Sequence, residues 1–554
     1  MNLLIVYAVL ALCSSPATAI WPLPTTFNTG STTLIIDSSL AFNIGSGSNT
    51  LLTDAIARFQ VQVSSSTFVW PFKPAATFNP KKYDTLSSVT INVAKPVDAY
   101  VDLTPDESYT LTISGTSGSI TAAATIGALR ALESLRQLVY TTAGSSTTYI
   151  ANTPITIKDA PQFTYRGVLL DTSRNFFSVA DIQRTLDAMA ASKLNVFHWH
   201  AVDAQSWPLA VDAYPNLTQN AAYGPSMVYS HGDMQQVVKY ASDNLYLRQR
   251  GILVILEIDM PGHTHALASV FPQIALCMDT QPNWGQVAAE PPSGHLNPTL
   301  PVTYTTLNTI LASLLPLFPS VYFHTGGDEI QASCWSSLKG TVASLVSEFV
   351  TKIHATVRAA GKTPMVWEEI VLDFDVKVGS DTIVQVWQSA ANVEKVVQKG
   401  YKVVTGTSDY WIISNLCSLH QPLGILTVVT ENGWLARLRI AGTCEPFKSW
   451  QKIYSFNPIA GLSSSQAKLV FGGEVLLWTE QTDPSNLDRM LWPRAAAAGE
   501  VLWSGPGVST ASAAAQRLNE IRFRMVADGI AAEPILPLWC VMNPGHCNLA
   551  PDMQ

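Results

Sequence analysis

The chain has 554 residues, a formal net charge of -8 and only 13% charged residues. Nothing in it supplies the basic patch that a phosphate backbone requires, so nucleic acid is excluded as a partner. The length exceeds one ordinary domain and fits a barrel of roughly 200 to 400 residues joined to something smaller.

At the N-terminus, Asn2 to Leu12 is an apolar run shorter than the roughly 18 residues a membrane helix needs, and Ala17-Thr-Ala19 is a small-residue cleavage pattern. Residues 1–19 therefore read as a secretory signal peptide, although no positive charge precedes the apolar run. The expectation is a secreted protein, extracellular or vacuolar-lysosomal by the same route, without a membrane span. Of seven cysteines, Cys13 leaves with the signal. Cys277, Cys334, Cys417, Cys444, Cys540 and Cys547 remain, an even set suited to disulfides in an oxidising compartment. Sequence does not fix their connectivity, and pairing neighbours in order is the economical expectation. Asn216-Leu-Thr218 is a glycosylation acceptor pattern.

From 20 to about 160 the chain is rich in Ser and Thr and carries short alternating segments. Ser108 to Ser114 places Tyr109, Leu111 and Ile113 on one face of a half-buried strand, and Leu129, Leu132, Leu135 and Leu138 follow at helical spacing. These features predict a small α+β domain over 20–160. From 161 to 554 the pattern becomes strand, loop, helix, repeated. Buried strands are predicted to end at Asp171, at His198-Trp-His200 with Asp203 beyond, at Asp259-Met-Pro-Gly-His263, at His324-Thr-Gly-Gly-Asp-Glu329, at Trp367-Glu-Glu369, at Trp387, after Tyr401 to Val404, and at Trp478-Thr-Glu480. Ser178 is placed to cap a helix with Asp181 in its first turn. Eight strands that each deliver polar or aromatic groups at one end predict a (β/α)8 TIM-type barrel of class α/β, with its site on the C-terminal face. Ile370 to Asp381 is too short and too broken for a full crossover helix, whereas a long helix from Ser509 through Met525 could close the barrel.

The adjacent carboxylates Asp328 and Glu329 carry the chemistry. Gly326 and Gly327 let the backbone bend sharply or approach a ligand closely. In a dry site, two neighbouring acids cannot both ionise freely, so at least one should hold its proton towards neutral pH.

Asp171-Thr-Ser-Arg174, His198-Trp-His200 with Asp203, Pro261-Gly-His263, His324-Thr-Gly-Gly-Asp-Glu329 and Trp478-Thr-Glu480 together resemble the glycoside hydrolase family 20 β-N-acetylhexosaminidases, fungal members especially. The resemblance runs from about 160 to 545, and the segment before it resembles the small α+β domain of that family. It implies an exo-acting, retaining enzyme that removes terminal non-reducing N-acetylglucosamine or N-acetylgalactosamine from oligosaccharides or glycoconjugates. The substrate's own acetamido group is then the nucleophile, an exception to the usual pair of carboxylates. Glu329 would be the general acid and base, and Asp328 would hold the acetamido N–H. Arg174 and Glu480 would bind ring hydroxyls; Trp367, Trp387 and Trp478 would wall the acetamido pocket; Tyr410 would align with a tyrosine that bonds the acetamido oxygen only if no residue is skipped. Asp203 and His263 would support the carboxylates. No cofactor or metal is implied, and a homodimer is one assembly the resemblance allows. Two other readings compete. A non-catalytic sugar-binding relative would share these motifs. A metal-dependent barrel hydrolase could use His198, His200, Asp203, His263 and His265 around an ion that activates water.

One stretch departs from the family. After Ser408-Asp-Tyr-Trp411, the residues 412–430 contain no Asp, Glu, Lys or Arg, where the fungal pattern continues with a tyrosine at 412 and an aspartate shortly after. A long uncharged loop beside a sugar site is costly to leave in water. The stretch is expected to be translated intron or another gene-model error, with a divergent loop as the alternative. Sequencing the spliced transcript across codons 405 to 450 checks this: the expected message lacks part or all of 412–430, and a message encoding the whole stretch refutes the error.

Overall fold

The computed structural model describes residues 20–64, 80–97, 99–141, 147–242, 250–280, 283–414, 425–429, 435–439, 447–543 and 546–547. The expected signal peptide, Cys417 and Cys444 lie outside them.

The first half-dozen strands form one sheet. β1 (Thr26–Ser46), β2 (Asp84–Lys95), β3 (Tyr109–Ser114), β4 (Ser117–Ala124), β5 (Tyr140–Thr141) and β6 (Thr148–Asp159) are ordered β1-β2-β4-β3-β6-β5, with an added β1–β6 pairing. Tyr109, Leu111 and Ile113 are buried on one face of β3, as the alternation predicts. The helix Thr125–Gln137 differs from a one-sided amphipathic helix: Arg130, Ser134, Arg136 and Gln137 are buried along with its leucines. The cause is that it packs on the sheet while its polar side meets the bottom of the barrel. Arg130 donates to the carbonyls of Arg250 (3.2 Å) and Gly251 (2.8 Å), and the Gln137 amide donates to Ala191 O at 3.1 Å.

The barrel closes through β7 (Tyr165–Asp171), β8 (Val196–His200), β9 (Leu253–Glu257), β12 (Tyr322–His324), β13 (Thr363–Trp367), β14 (Ile383–Val386), β15 (Lys402–Thr405) and β18 (Val470–Leu477). The short pair β10 (Ala275–Leu276) and β11 (His295–Leu296) shapes the loop after β9, and the pair β16 (Ile425–Val429) and β17 (Leu435–Arg439) lies between β15 and β18. All barrel pairings are parallel, and the strands are buried on both faces, which is why they read as near-continuous apolar runs. Ser178 and Asp181 form a reciprocal capping box at the start of the helix Val179–Ala191. Only the short helix Glu369–Leu372 stands between β13 and β14, and the helix Ala511–Ala527 covers the predicted C-terminal region. Among the described residues no helix is long and apolar enough to cross a membrane. Cys277–Cys334 and Cys540–Cys547 are disulfides, as neighbour pairing predicts, and they suit a chain matured in an oxidising compartment.

The N-terminal sheet and its helix sit under the starts of the barrel strands. Val321 donates its N–H to Val101 O at 3.0 Å, and Asn195 donates to the Tyr100 hydroxyl at 3.0 Å. Buried ion pairs join the two layers: Glu107 takes Arg166 and Arg130, each at 2.7 Å, and Lys193 meets Asp159 at 2.8 Å. Burial alone would raise the Glu107 carboxyl, but the two guanidiniums outweigh it and hold it below its ordinary value. Removing one partner of such a buried set leaves charge without compensation. Glu107→Ala, which strands Arg130 and Arg166, is therefore expected to cost about 3 kcal/mol or more, read as a lowered midpoint in denaturant unfolding; a midpoint within error of the parent would show that solvent reaches the pair.

Candidate functional site

The C-terminal ends of the strands bring the predicted chemistry to one mouth. After β12 the chain turns through Gly326 (φ +67°) and Gly327 (φ +101°). A Cβ on Gly326 would fall 1.7 Å from Asp259 Oδ1, so the glycine serves close approach of another side chain. The Gly327 N–H donates to that same oxygen at 2.9 Å. Glu329 itself is left-handed (φ +48°), as is His263 (φ +54°). Non-glycine residues held in this region store strain, and both belong to one contact: His263 Nε2 lies 3.1 Å from Glu329 Oε2, while His263 Nδ1 lies 3.0 Å from Asp203 Oδ1. Burial alone would depress the His263 imidazole, but Asp203 and Asp328 raise it well above its ordinary value.

Asp328 is buried beside a third carboxyl that the sequence reading did not assign a role. Burial first, then the charge of Asp259, pushes Asp328 well above its usual range. Burial also lifts Asp259, to about 6, with Glu257 adding to the effect and His263 opposing it. Glu369, at the end of β13, is raised by burial and by Asp328. The expectation that the paired acids would include a carboxyl with a raised pKa thus falls on Asp328.

Arg174 stands across the mouth and is ringed by acids: Asp203 at 2.7 Å, Glu290 at 3.4 Å, Asp171 at 3.5 Å and Glu480 at 3.9 Å. Its guanidinium lies 5.2 Å from the centre of the Trp478 ring. Arg174 Nε and Glu480 Oε2 are buried without a hydrogen-bond partner, a donor and an acceptor of the kind a sugar hydroxyl satisfies. Glu290, on the loop between β10 and β11, had no sequence signal beyond its charge.

The three indoles gather in one cluster, with Trp387 and Trp478 packed against Trp367 and its neighbours. Trp367 is fully buried and 6.0 Å from Trp478, centre to centre, and its Nε1 donates to Glu257 at 2.8 Å. Trp387 is half-buried, with Nε1 donating to Glu369 at 3.0 Å. From the departing stretch, Ile412 packs with Trp367, Leu169 and Leu476 and bridges to β18, while Ile413 donates its N–H to Leu476 O at 3.0 Å. Tyr410 is not brought to this cluster. Its ring stacks on Phe456 at 4.5 Å, with Lys452 3.9 Å above it, because the turn from Thr407 sends Tyr410 outward as it sends Ile412 inward. Residues 415–424 and 430–434 lie outside the described residues. Asn216 opens the helix Asn216–Ala221 and is half-buried.

The histidine pair expected for a metal-dependent reading is engaged by acids. His200 places Nδ1 2.6 Å from Glu257 and Nε2 2.9 Å from Asp203; His198 places Nδ1 2.8 Å from Glu474. His265 points elsewhere, to Asp279 at 2.8 Å. Among the described residues three groups, His198 with Glu257 and His324, Asp203 with Asp259 and His263, and His263 with Asp328 and Glu329, hold ligand-type atoms close together.

Comparison with known proteins agrees with this geometry. Residues 163–506 match the model of the glycosyl hydrolase family 20 catalytic domain, and residues 20–138 match a beta-acetyl hexosaminidase-like domain. A beta-hexosaminidase of Arthroderma benhamiae is 36% identical over 520 residues, covering 88% of this chain and 83% of its own. A chitooligosaccharidolytic beta-N-acetylglucosaminidase of Bombyx mori is 35% identical over 494 residues, covering 83% and 78%. The structure of a Flavobacterium johnsoniae chitobiase superposes with a TM-score of 0.74 at 28% identity, covering 92% of this chain and 73% of that one. The chain belongs to glycosyl hydrolase family 20 and is a glycoside hydrolase, a beta-hexosaminidase.

Proposed function

We propose that this enzyme removes terminal non-reducing N-acetylhexosamine residues with retention, using the substrate's acetamido oxygen as nucleophile. The observation that carries the reading is the crowding of acids around Asp328. Asp328, Asp259 and Glu369 all have carboxyls raised by burial and by acidic neighbours, and His263 is the cation that opposes this at Asp328 and Asp259. Such a cluster is unfavourable in an empty pocket and is relieved when positive charge develops beside it. Attack of the acetamido oxygen on the anomeric carbon places that charge on the ring that forms, with its N–H directed at Asp328. The site is then more complementary to the reacting state than to the ground state, which is the condition for acceleration.

Glu329 is the proton donor to the leaving oxygen and afterwards the base for water, with His263 and Asp203 behind it. The orphan donor and acceptor of Arg174 and Glu480 take ring hydroxyls, and the half-buried indoles of Trp387 and Trp478 take the methyl and C–H surfaces, with the fully buried Trp367 behind them. The Bombyx mori relative is named for action on chitooligosaccharides, and chitin fragments are a natural substrate class for this chain too.

Glu329→Gln tests the assignment. The amide keeps the size of the side chain but cannot protonate a leaving group, so turnover of a natural disaccharide should fall by about 10²-fold or more while product binding persists. A plain glucoside lacking the acetamido group should be a far poorer substrate for the parent enzyme. Full hydrolysis of the disaccharide by the variant, or equal rates on the two sugars, would remove the reading.

The Asp259 carboxyl yields a second test. It keeps its proton to about 6 in the folded chain and loses it near 3.9 when unfolded. The folded state binds more protons across that window, so the contribution of Asp259 to stability falls as pH rises from about 4 to about 6. Asp259→Asn does not titrate. Its Tm relative to the parent should therefore improve between pH 4 and pH 7; a constant difference would show that the carboxyl ionises normally.

A further inference from the structure

Below the catalytic mouth, the barrel interior continues the line of acids and imidazoles behind Glu329 to two residues, His200 and Glu257, that the reaction as described does not use. Starting from Glu329, the line passes His263 (3.1 Å), Asp203 (3.0 Å), His200 (2.9 Å) and Glu257 (2.6 Å). His200 and Glu257 are fully buried. His200 faces a carboxylate at each ring nitrogen, so both nitrogens donate and the ring is an imidazolium. The other groups against it are the Arg174 guanidinium, 3.4 Å from Nε2, and the edge of Trp478, 4.8 Å between ring centres. Arg174 in turn faces Asp171, Glu290 and Glu480. Glu257 is met by His198 Nε2 at 3.0 Å, by His324 Nδ1 at 3.0 Å and by the Trp367 N–H. Glu329 is met by His263, which also lies 3.9 Å from Asp328.

We propose that His200, held as an imidazolium between Glu257 and Asp203, is a positioning residue for the proton transfer carried out by Glu329. Asp203 is shared between cations on two sides: Arg174 and His200 on one oxygen, His263 on the other. A carboxylate divided in this way pulls less strongly on His263, and the cation of His200 offsets the negative charge crowded at the mouth. The inference rests on the reading of Glu329 as the acid. It concerns residues that touch neither substrate nor reacting atoms, acting through two hydrogen-bonded neighbours.

The test is the pH dependence of kcat/KM on a chromogenic N-acetylglucosaminide, whose basic limb reports loss of the acid's proton. His200→Gln removes the cation and leaves both carboxylates. Ionisation of the acid is then disfavoured, and the basic limb should move up by about half a pH unit or more. Glu257→Gln removes a negative charge and leaves the imidazolium facing Asp203, so the limb should move down. Thermal unfolding shows which variants are folded, and either folded variant decides the matter. Opposite shifts, or the expected shift in the single variant that folds, support the proposal. A limb that stays in place, or moves against the stated sign, overturns it and leaves the pair with a purely structural role. Failure of the underlying reading is separate: it would appear as an active Glu329→Gln enzyme, whatever His200 does.

Discussion

The rest of the structure depends on the rule that a buried charge must be paired. Glu257 and Glu474 are fully buried inside the barrel, where side chains of branched aliphatics are the usual filling. An unpaired carboxylate there would cost several kcal/mol. Glu257 is met by groups from β8, β12 and β13, and Glu474 by His198, by the Tyr165 hydroxyl at 2.6 Å and by the Gln385 amide. Strands β7, β8, β9, β13, β14 and β18 are thereby tied by hydrogen bonds, and β12 by the approach of His324 to Glu257. An apolar core of equal volume would tolerate small shifts between strands; this arrangement does not. The catalytic groups stand immediately above it and take their positions from it.

The same rule divides the molecule between two ends. At the bottom, Glu107 and Asp159 lock the N-terminal layer to the starts of the strands through Arg166, Arg130 and Lys193. Those pairs are complete. At the top the pairing is short of cations: Asp328 and Asp259 share His263, Glu369 is raised by burial and by Asp328, and Glu480 has an oxygen without a donor. Stability is invested at one end of the strands and reactivity at the other, as the barrel architecture permits.

Much of this was legible in the sequence for a physical reason. Parallel strands buried on both faces read as short apolar runs, and their polar ends name the mouth: Asp171, His200, Asp328, Trp367 and Trp478 each follow directly from such a run. The capping box at Ser178 was readable because its two partners are three residues apart. Glu257 and Glu474 were not, since each appears as one acid in an apolar strand and its partners come from strands far away in the chain. The all-round burial of the helix Thr125–Gln137 was hidden for a related cause. Periodicity reports one covered face, and the second face is covered by the barrel. Tyr410 and Ile412 show the limit of motif alignment, because the side chain that reaches the indoles is decided by how the turn after Thr407 directs successive residues.

The strain at the mouth follows from the same constraint. Glu329 and His263 both occupy left-handed backbone, which costs an L-residue with a side chain of order 1 kcal/mol or more. Relaxing either turn would carry one end of the 3.1 Å contact away from the other. Each strained backbone is thus tied to the same contact, His263 with Glu329. Asp328 and Glu329 are adjacent in sequence, and ordinary backbone would have to send the two carboxyls in less useful directions. The left-handed residues Gly326, Gly327 and Glu329, on either side of Asp328, set Asp328 towards Asp259 and Glu329 towards His263. Two neighbouring acids thereby meet opposite surroundings, Asp328 among acids and Glu329 beside His263.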